Sequence, residues 1–238
     1  MHRHSLLLCQ NDNPDTKPHY RLYHLWHQQQ NLHHLIGLVL VVWAGDMVYR
    51  GRVEALQAVI DVTFKICGEK RIVAVFGNEE YIGLEDKFVN SYPQIVWLND
   101  TAIVLELGNG ERIGVFGSRG ALERPTRWQR KHHPELWQIY RKRPKILEEH
   151  VKRLKEEVGK VVVVLHYAPT FKTLVGEPQQ IWPELGSRLM EAAILRSKPT
   201  VVIHGHAHKA KVLEARLGDV HIYNVSLPAK NDVTVLKI

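Results

Sequence analysis

The sequence contains only two cysteines, and they are far apart. Cys9 and Cys67 lie in different segments and form no Cys-x-x-Cys pair. A disulfide framework is therefore not expected, and both residues are predicted to be free thiols. Free thiols are typical of a reducing compartment, so we expect a cytoplasmic location.

Long apolar runs are also missing. No run approaches the ~18 residues of a membrane span, and the N-terminus lacks the charged, apolar and small-residue regions of a secretory signal. Of the 238 residues, 45% are hydrophobic and 24% are charged, an ordinary globular composition. We predict a chain that makes no membrane contact, with one large domain or two small ones.

Positive charge exceeds negative charge, but the excess is local. The formal net charge is +7, and residues 121–160 alone hold twelve Lys or Arg against six Glu. Two interpretations are open. The segment is either a patch that attracts phosphate-bearing partners such as nucleic acid or a nucleotide, or a solvated helix face.

Residues 1–37 differ in composition from the rest of the chain. They contain seven of the fifteen histidines, and Asp12 and Asp15 are their only acidic residues. Residues 6–9 predict a short strand, and the remainder follows neither the helical nor the strand period. We treat 1–37 as an atypical His-rich segment that precedes a domain at 38–238. A histidine-rich tract binds metal opportunistically, and no designed site is predicted here.

From Leu38 onward the pattern becomes regular. A buried strand, an amphipathic helix and a second buried strand, at residues 38–43, 53–66 and 71–76, predict a βαβ unit with parallel strands. Strands follow at 95–98, 102–107 and 112–116, and the Gly-Asn-Gly before the last one predicts a hairpin. Later elements are predicted as a helix at 146–158, a strand at 161–165, a helix at 184–196, and strands at 200–203, 212–215, 220–225 and 233–238. The sheets should therefore be mixed.

The segment between the hairpin and the 146–158 helix is rich in proline and aromatic residues. Pro125, Pro134 and Pro144 interrupt it, and Trp128 and Trp137 are its largest side chains. The prolines predict a broken segment. It either forms a loop over a functional site or packs on the surface.

Polar side chains that suit transition metals follow four of the buried strands. These are Asp46, Asn78, His166 and the pair His206 and His208. Function gathers at the carboxyl ends of parallel strands, and residues two apart on a strand point to one side. Each residue alone has an ordinary structural explanation. All five at strand ends predict a metal site with carboxylate, amide and imidazole ligands.

These motifs, in this order, resemble the signature of the calcineurin-like metallophosphoesterases. That signature is Asp-x-His, Gly-Asp-x-x-Asp/Asn, Gly-Asn-His-Asp/Glu, a lone His after a strand, and Gly-His-x-His. The matching pieces are Gly45-Asp46-Met47-Val48-Tyr49, Gly77-Asn78-Glu79-Glu80, His166 and Gly205-His206-Ala207-His208. The resemblance covers residues 38–238. It implies an α/β fold with two mixed sheets packed face to face and helices outside, a four-layer αββα sandwich.

The resemblance also implies two divalent metal ions, of Mn, Fe, Zn, Ni or Co. By position, Asp46 is similar to the carboxylate that bridges both ions. Asn78, His166 and His206 are similar to ligands of the second ion, and His208 to a ligand of the first. The implied activity is hydrolysis of a phosphomonoester or phosphodiester by a metal-bridged hydroxide.

Two further residues have proposed roles at this site. Arg50 either contacts the substrate phosphate, since guanidinium suits bidentate contacts, or forms a structural ion pair. Glu79 stands where the family has a histidine that assists the leaving group. It either donates a proton, which requires a raised pKa, or is a charged loop residue. Tyr49 replaces the usual Asp or Asn and is expected to alter only hydrogen bonds around the ligands.

One motif of the family is missing. No Asp-x-His follows the strand at 6–9; Asp12 lies at a suitable distance, but Pro14 stands where the histidine belongs. We hypothesise that residues 1–37 are translated from a shifted reading frame or have diverged. A strand followed by Asp-x-His in another frame of the gene upstream of Leu38 would support the first explanation, and its absence from both would exclude it.

Two functions from different classes fit these observations. The first is a metal-dependent phosphoesterase, with a nuclease or nucleotide phosphodiesterase among its variants. The second is a scaffold for protein binding that has the same fold and an impaired first metal site. The missing Asp-x-His favours the scaffold, and the intact second set of ligands favours the enzyme.

Overall fold

The computed structural model describes residues 5–9, 38–107 and 110–238. Within these ranges the strands form two sheets, with five and six strands. The first sheet has the order β11-β1-β2-β3-β4. Its strands are β1 (Ser5–Cys9), β2 (Leu38–Trp43), β3 (Ile72–Val75), β4 (Ile95–Leu98) and β11 (Thr234–Lys237).

β1 occupies an interior position in this sheet. It pairs in parallel with β2 and antiparallel with β11, which confirms the short strand expected near residues 6–9. β2, β3 and β4 are mutually parallel, as the βαβ pattern predicts. The chain therefore leaves β2 and β3 at the same edge of the sheet, where Asp46 and Asn78 follow.

The second sheet has the order β5-β6-β7-β8-β10-β9. Its strands are β5 (Thr101–Glu106), β6 (Arg112–Ser118), β7 (Val161–Leu165), β8 (Val201–His204), β9 (Glu214–Leu217) and β10 (Val220–Asn224). β6, β7, β8 and β10 are parallel, and β5 and β9 add antiparallel edges. The predicted hairpin and the mixed sheet are both confirmed. His166 and His206 follow β7 and β8 at one edge.

The helices cover the outer faces of the two sheets. They are α1 (Leu56–Cys67), α2 (Glu85–Ser91), α3 (Arg127–His132), α4 (Leu136–Val158), α5 (Arg188–Ser197) and α6 (Leu227–Lys230), with 3₁₀ turns at Val53–Ala55, Phe171–Leu174 and Gln179–Glu184. No helix in the described part of the chain is long and apolar enough to cross a membrane.

Three apolar clusters separate four layers. Side chains such as Val42 and Val73 of the first sheet meet Val162 and Ile203 of the second in the central cluster. α1 and α2 pack on the outer face of the first sheet, and α4 and α5 on that of the second. Each fully buried aliphatic side chain contributes about 1.5–3 kcal/mol. The predicted αββα sandwich is confirmed.

The segment before residue 146 is broken at residues 133–135, as expected, but it is helical on both sides and the break expected at Pro144 is absent. α4 begins at Leu136 and runs through Pro144, and α3 precedes it with a capping box in which the Thr126 hydroxyl accepts the N–H of Gln129. Proline disfavours a helix interior because it lacks an N–H. Here Tyr140, Leu147 and their neighbours bury one face of α4 on the second sheet, and this packing outweighs the lost hydrogen bond.

Several sequence predictions concern residues outside the described ranges. Asp12, Pro14 and the seven N-terminal histidines are among them. The predicted domain boundary at 37/38 also stays a prediction. Cys67 is a buried free thiol, and burial raises its pKa to about 12, so the thiol stays protonated and unreactive.

Candidate metal centre

Asp46 lies in a tight turn directly after β2. Its backbone has a φ of +54°, and Gly45 before it has a φ of +82°. A side chain at Gly45 would meet the backbone of Gly77 and the ring of His166 at about 2.8 Å, so only glycine fits. A non-glycine residue with positive φ costs free energy and is concentrated at functional sites. The turn therefore holds the backbone of Asp46 in a strained conformation.

The buried carboxylate of Glu80 holds this turn together. It accepts backbone N–H groups from Asp46 at 2.7 Å, Met47 at 2.6 Å, Val48 at 3.2 Å and Gly77 at 2.7 Å. Burial raises the pKa of Glu80, and the four N–H donors counter that rise. One side chain thus satisfies four donors and joins the turn after β2 to the loop after β3.

Asn78 is oriented by its neighbours in the loop after β3. Its amide nitrogen donates to Glu79 Oε1 at 3.2 Å, which turns Oδ1 toward His166 Nε2, 2.9 Å away. The backbone N–H of Glu79 donates to Asp46 Oδ1 at 2.8 Å. A Cβ at Gly77 would collide with the same carboxylate. The Asp46 carboxylate is therefore packed against the backbone of the loop that carries Asn78.

His166 follows β7 and is fully buried. Its Nδ1 lies 3.0 Å from the carbonyl oxygen of Ala44, and because a carbonyl only accepts, Nδ1 carries the proton. Burial, followed by the charge of His206, lowers the pKa of His166 well below its usual value, so the ring is neutral. Its Nε2 then presents a lone pair.

That lone pair faces other acceptor atoms. Nε2 of His166 lies 2.9 Å from Asn78 Oδ1 and 3.3 Å from Asp46 Oδ2. Three electron-rich atoms at such separations repel one another. A cation that all three coordinate would offset this repulsion. A nitrogen and two oxygens are ligands that divalent transition metals accept. The donor set therefore fits a metal ion.

His206 completes this group from the end of β8. Its ring lies 4.8 Å from that of His166 between centroids, and burial lowers its pKa to about 3. One potential ligand atom from each of Asp46, His166 and His206 lies within 4.8 Å of the others. His206 also has a positive φ, of +67°. Strained backbone thus occurs on both sides of the site.

His206 and His208 of the final motif, and His204 before it, have different surroundings. His204 donates from Nδ1 to the Gly205 carbonyl, and its Nε2 accepts the Thr173 hydroxyl at 2.8 Å, which is a structural role. His208 lies with its ring 6.4 Å from that of His206 and outside the group of three. Of the five predicted ligands, the structure brings Asp46, Asn78, His166 and His206 together, with His208 beside them.

The other two predicted site residues lie at the periphery. Glu79 accepts the Arg50 backbone N–H at Oε2, at 2.8 Å, as well as the Asn78 amide. The Arg50 guanidinium lies 4.9 Å from the centroid of the Tyr49 ring. Among the described residues no carboxylate forms an ion pair with it, so the structure does not show the ion pair considered from the sequence.

Sequence reasoning missed Arg119, which follows β6 at the same edge. Its buried guanidinium donates to the carbonyls of Gly77 at 3.1 Å and Glu80 at 2.7 Å, and to the Glu85 carboxylate at 2.7 Å. Arg119 thus ties the loop after β3, in the first sheet, to the second sheet. Its place directly after a strand was the available signal, obscured because Arg119 immediately precedes the basic segment at 121–160.

Several solved structures share this fold. No curated protein sequence matches the chain. A putative 5'-nucleotidase from Staphylococcus aureus is similar in structure, with a TM-score of 0.59 and 15% identity over 94% of this chain and 48% of that one. The chain therefore spans about half the length of that nucleotidase.

Two other solved structures share the fold over more of their length. The phosphopantetheinyl hydrolase of Mycobacterium tuberculosis has a TM-score of 0.58 and 13% identity, over 94% of this chain and 89% of that one. GAP50, the anchor in the inner membrane complex of Plasmodium, has a TM-score of 0.58 and 11% identity, over 95% and 72%. At such identities the likeness concerns the fold alone.

The family assignment comes from a sequence model of the family. The model described as calcineurin-like phosphoesterase matches residues 8–210, which include every residue of the metal group described above. The resemblance noted from the motifs is confirmed, and the chain belongs to the calcineurin-like phosphoesterase family.

Proposed function

We propose that this protein hydrolyses phosphoesters with a divalent cation held by Asp46, Asn78, His166 and His206. The observation that carries the proposal is the convergence of acceptor atoms on His166 Nε2. Asn78 Oδ1 lies 2.9 Å from it and Asp46 Oδ2 3.3 Å. Membership of a phosphoesterase family makes phosphate the natural group to bring to such a cation.

The residues of the chain would each have a separate task. A divalent cation supplies charge neutralisation on phosphate oxygens and lowers the pKa of water. His166 keeps a lone pair on Nε2 because its proton is on Nδ1, which donates to the carbonyl oxygen of Ala44. Glu79 accepts the Asn78 amide, so we assign it as a positioning residue that acts through Asn78.

A second cation would lie on the side of His208. The family resemblance implies two ions, and the described residues gather one complete group. His208 is 6.4 Å from His206 between ring centroids, a suitable distance for a ligand of a neighbouring ion. Asp12, the candidate for a further ligand, lies outside the described residues. Manganese is a reasonable first metal to test, since the ligand set does not select among Mn, Fe, Zn, Ni and Co.

Metal analysis combined with an assay tests this proposal. The purified protein is analysed for bound metals, then assayed with bis-p-nitrophenyl phosphate and p-nitrophenyl phosphate, with Mn²⁺ or with chelator. We expect hydrolysis that requires metal, and its loss in His166→Ala and His206→Ala. His221→Ala, a partly buried histidine on β10, serves as the matched control and should retain activity. Equal rates in all four proteins would overturn the proposal.

The second candidate function is a binding scaffold without catalysis. One observation favours it. GAP50, which has a similar fold, is described as the anchor in the inner membrane complex of Plasmodium. The two candidates differ in metal stoichiometry. About two ions per chain with turnover supports the enzyme, whereas one ion or none without turnover supports the scaffold.

A further inference from the structure

A cavity of about 540 Å³ opens beside the metal group. This volume lies within the ~300–1,000 Å³ of small-molecule sites. Asn78 and His206 line one part of it, and most other lining residues come from two segments, 78–82 and 119–133. The cavity is therefore continuous with the proposed cation site and large enough for the organic part of a phosphoester.

The charges in the cavity do not suit a second phosphate. The lining includes Glu79 and Glu184, and Arg119 is its one arginine among the described residues. The Glu184 carboxylate is paired with Arg124 at 3.0 Å. Arg119 already donates to the Glu85 carboxylate and to two carbonyls. With its positive charge paired, the cavity is better matched to an uncharged group than to an anion.

Large apolar side chains lie where the cavity meets solvent. Trp128 is 58% exposed and Tyr81 is 43% exposed, and both belong to the lining. Aromatic rings at such a position offer flat surfaces to a ligand. Stacking of one nucleobase on an aromatic side chain contributes about 1–3 kcal/mol.

Trp128 is held in place despite its exposure. The rings of His132 and His133 lie 4.9 Å and 5.3 Å from it between centroids. His133 Nδ1 in turn lies 3.1 Å from the Glu135 carboxylate. A side chain that is already fixed loses little conformational entropy when a ligand binds.

The segment that carries Trp128 is tied to the metal group. Gln129 closes the capping box with Thr126 and donates to the Tyr167 hydroxyl at 3.2 Å. The Tyr167 ring lies edge-on to that of His206, at 4.9 Å between centroids. The distance between the Trp128 surface and the metal group is therefore fixed by packed and hydrogen-bonded side chains.

We propose that this cavity selects phosphoesters whose organic part carries a planar aromatic ring, such as a nucleobase, and that Trp128 is the residue that stacks on it. The proposal rests on the phosphoesterase function, because it assigns the phosphate to the metal group and the ring to Trp128. It names Trp128 as a specificity-determining residue. The exposed Trp128 ring, the two imidazoles beside it and the hydrogen bond between Gln129 and Tyr167 support this role.

The first test measures binding without hydrolysis. Adenosine and ribose, which lack phosphate and differ by the base, are titrated by ligand-observed NMR. We expect adenosine to bind and ribose not to bind. Trp128→Ala should weaken adenosine binding about tenfold, and Trp128→Phe should restore most of it. Trp137→Ala is the matched control, because Trp137 is 42% exposed on α4 but does not line the cavity, and it should leave binding unchanged.

The second test compares adenosine 5'-monophosphate with ribose 5-phosphate, which share the same scissile ester. Trp128→Ala should raise KM about tenfold for the nucleotide, with kcat unchanged, and leave ribose 5-phosphate unaffected. Adenosine binding that is absent, or that is equal in wild type and Trp128→Ala, overturns the specificity proposal even if bis-p-nitrophenyl phosphate is hydrolysed. Trp128-dependent adenosine binding without hydrolysis of any ester supports the cavity and rejects the phosphoesterase function.

Discussion

The two sheets supply different kinds of ligand atom and hold them in different ways. The first sheet contributes oxygen, from Asp46 and Asn78, and the second contributes nitrogen, from His166 and His206. The oxygen ligands lie in loops that depend on the Glu80 carboxylate and its four backbone donors. Of the nitrogen ligands, His166 follows β7 directly and His206 follows β8 after Gly205. A loop anchored by one side chain is easier to disrupt than a strand end, so the two halves should respond differently to mutation.

The largest expected effect comes from removing one ligand in each half. Asp46→Asn and His206→Asn both place asparagine at a positive φ, which asparagine tolerates well. We expect each variant to fold with near wild-type stability and to lose more than about 100-fold of its metal-dependent rate. Circular dichroism melts and the Mn²⁺ assay measure both. Normal activity in either variant would exclude that residue as a ligand.

The next effect separates the halves by stability. Glu80→Gln keeps one acceptor oxygen but places an amide donor against backbone N–H donors. We therefore expect the free energy of unfolding, measured in urea with chelator present, to fall by about 3 kcal/mol. Glu79→Gln is the neighbouring control and should change stability by less than about 0.5 kcal/mol. If both variants have equal midpoints, Glu80 does not anchor the oxygen half.

A smaller effect is expected at the link between the sheets. Arg119→Lys retains the charge but reaches fewer of the three acceptors, so the loop that carries Asn78 should be less well held. We expect kcat to fall about tenfold, with metal affinity reduced and the fold retained. Calorimetric titration with Mn²⁺ and the phosphoesterase assay report the two quantities. Unchanged metal affinity would show that Arg119 does not position the loop.

The smallest effect is expected at Arg50. Its guanidinium lies on the Tyr49 ring, and Arg50 does not line the cavity beside the metal group. Arg50→Ala should therefore change KM by less than about twofold, since Arg50 is exposed and substitutions of exposed residues change free energies little. A rise in KM beyond about tenfold for every phosphoester would instead support the phosphate contact considered from the sequence.

Sequence patterns predicted the two halves unequally. Apolar runs followed by Asp46, Asn78 and His166 indicated the strand ends, because burial of a parallel strand leaves a signal in its own residues. The role of Glu80 could not be derived this way, since three of its four partners are backbone groups more than thirty positions away in the sequence. Arg119 presented the same difficulty.

The helix through Pro144 shows another limit of sequence patterns. Local propensity favours a break at proline, and the packing of Tyr140 and Leu147 that overrides it depends on the second sheet. The position of His208 is a third case. The two-residue spacing predicted that it would point with His206 to one place, but the positive φ of His206 shows that this backbone is not an extended strand.

The hydrogen bond from His166 to the Ala44 carbonyl has a consequence for engineering. The imidazole belongs to one layer and is aligned by a main-chain atom of the opposite layer. A side-chain replacement at position 44 leaves the main-chain carbonyl in place. Such a mutation will therefore change the orientation of the His166 ring only if it moves the backbone. Attempts to change metal preference should therefore begin with Asn78, which is oriented by a side chain, that of Glu79.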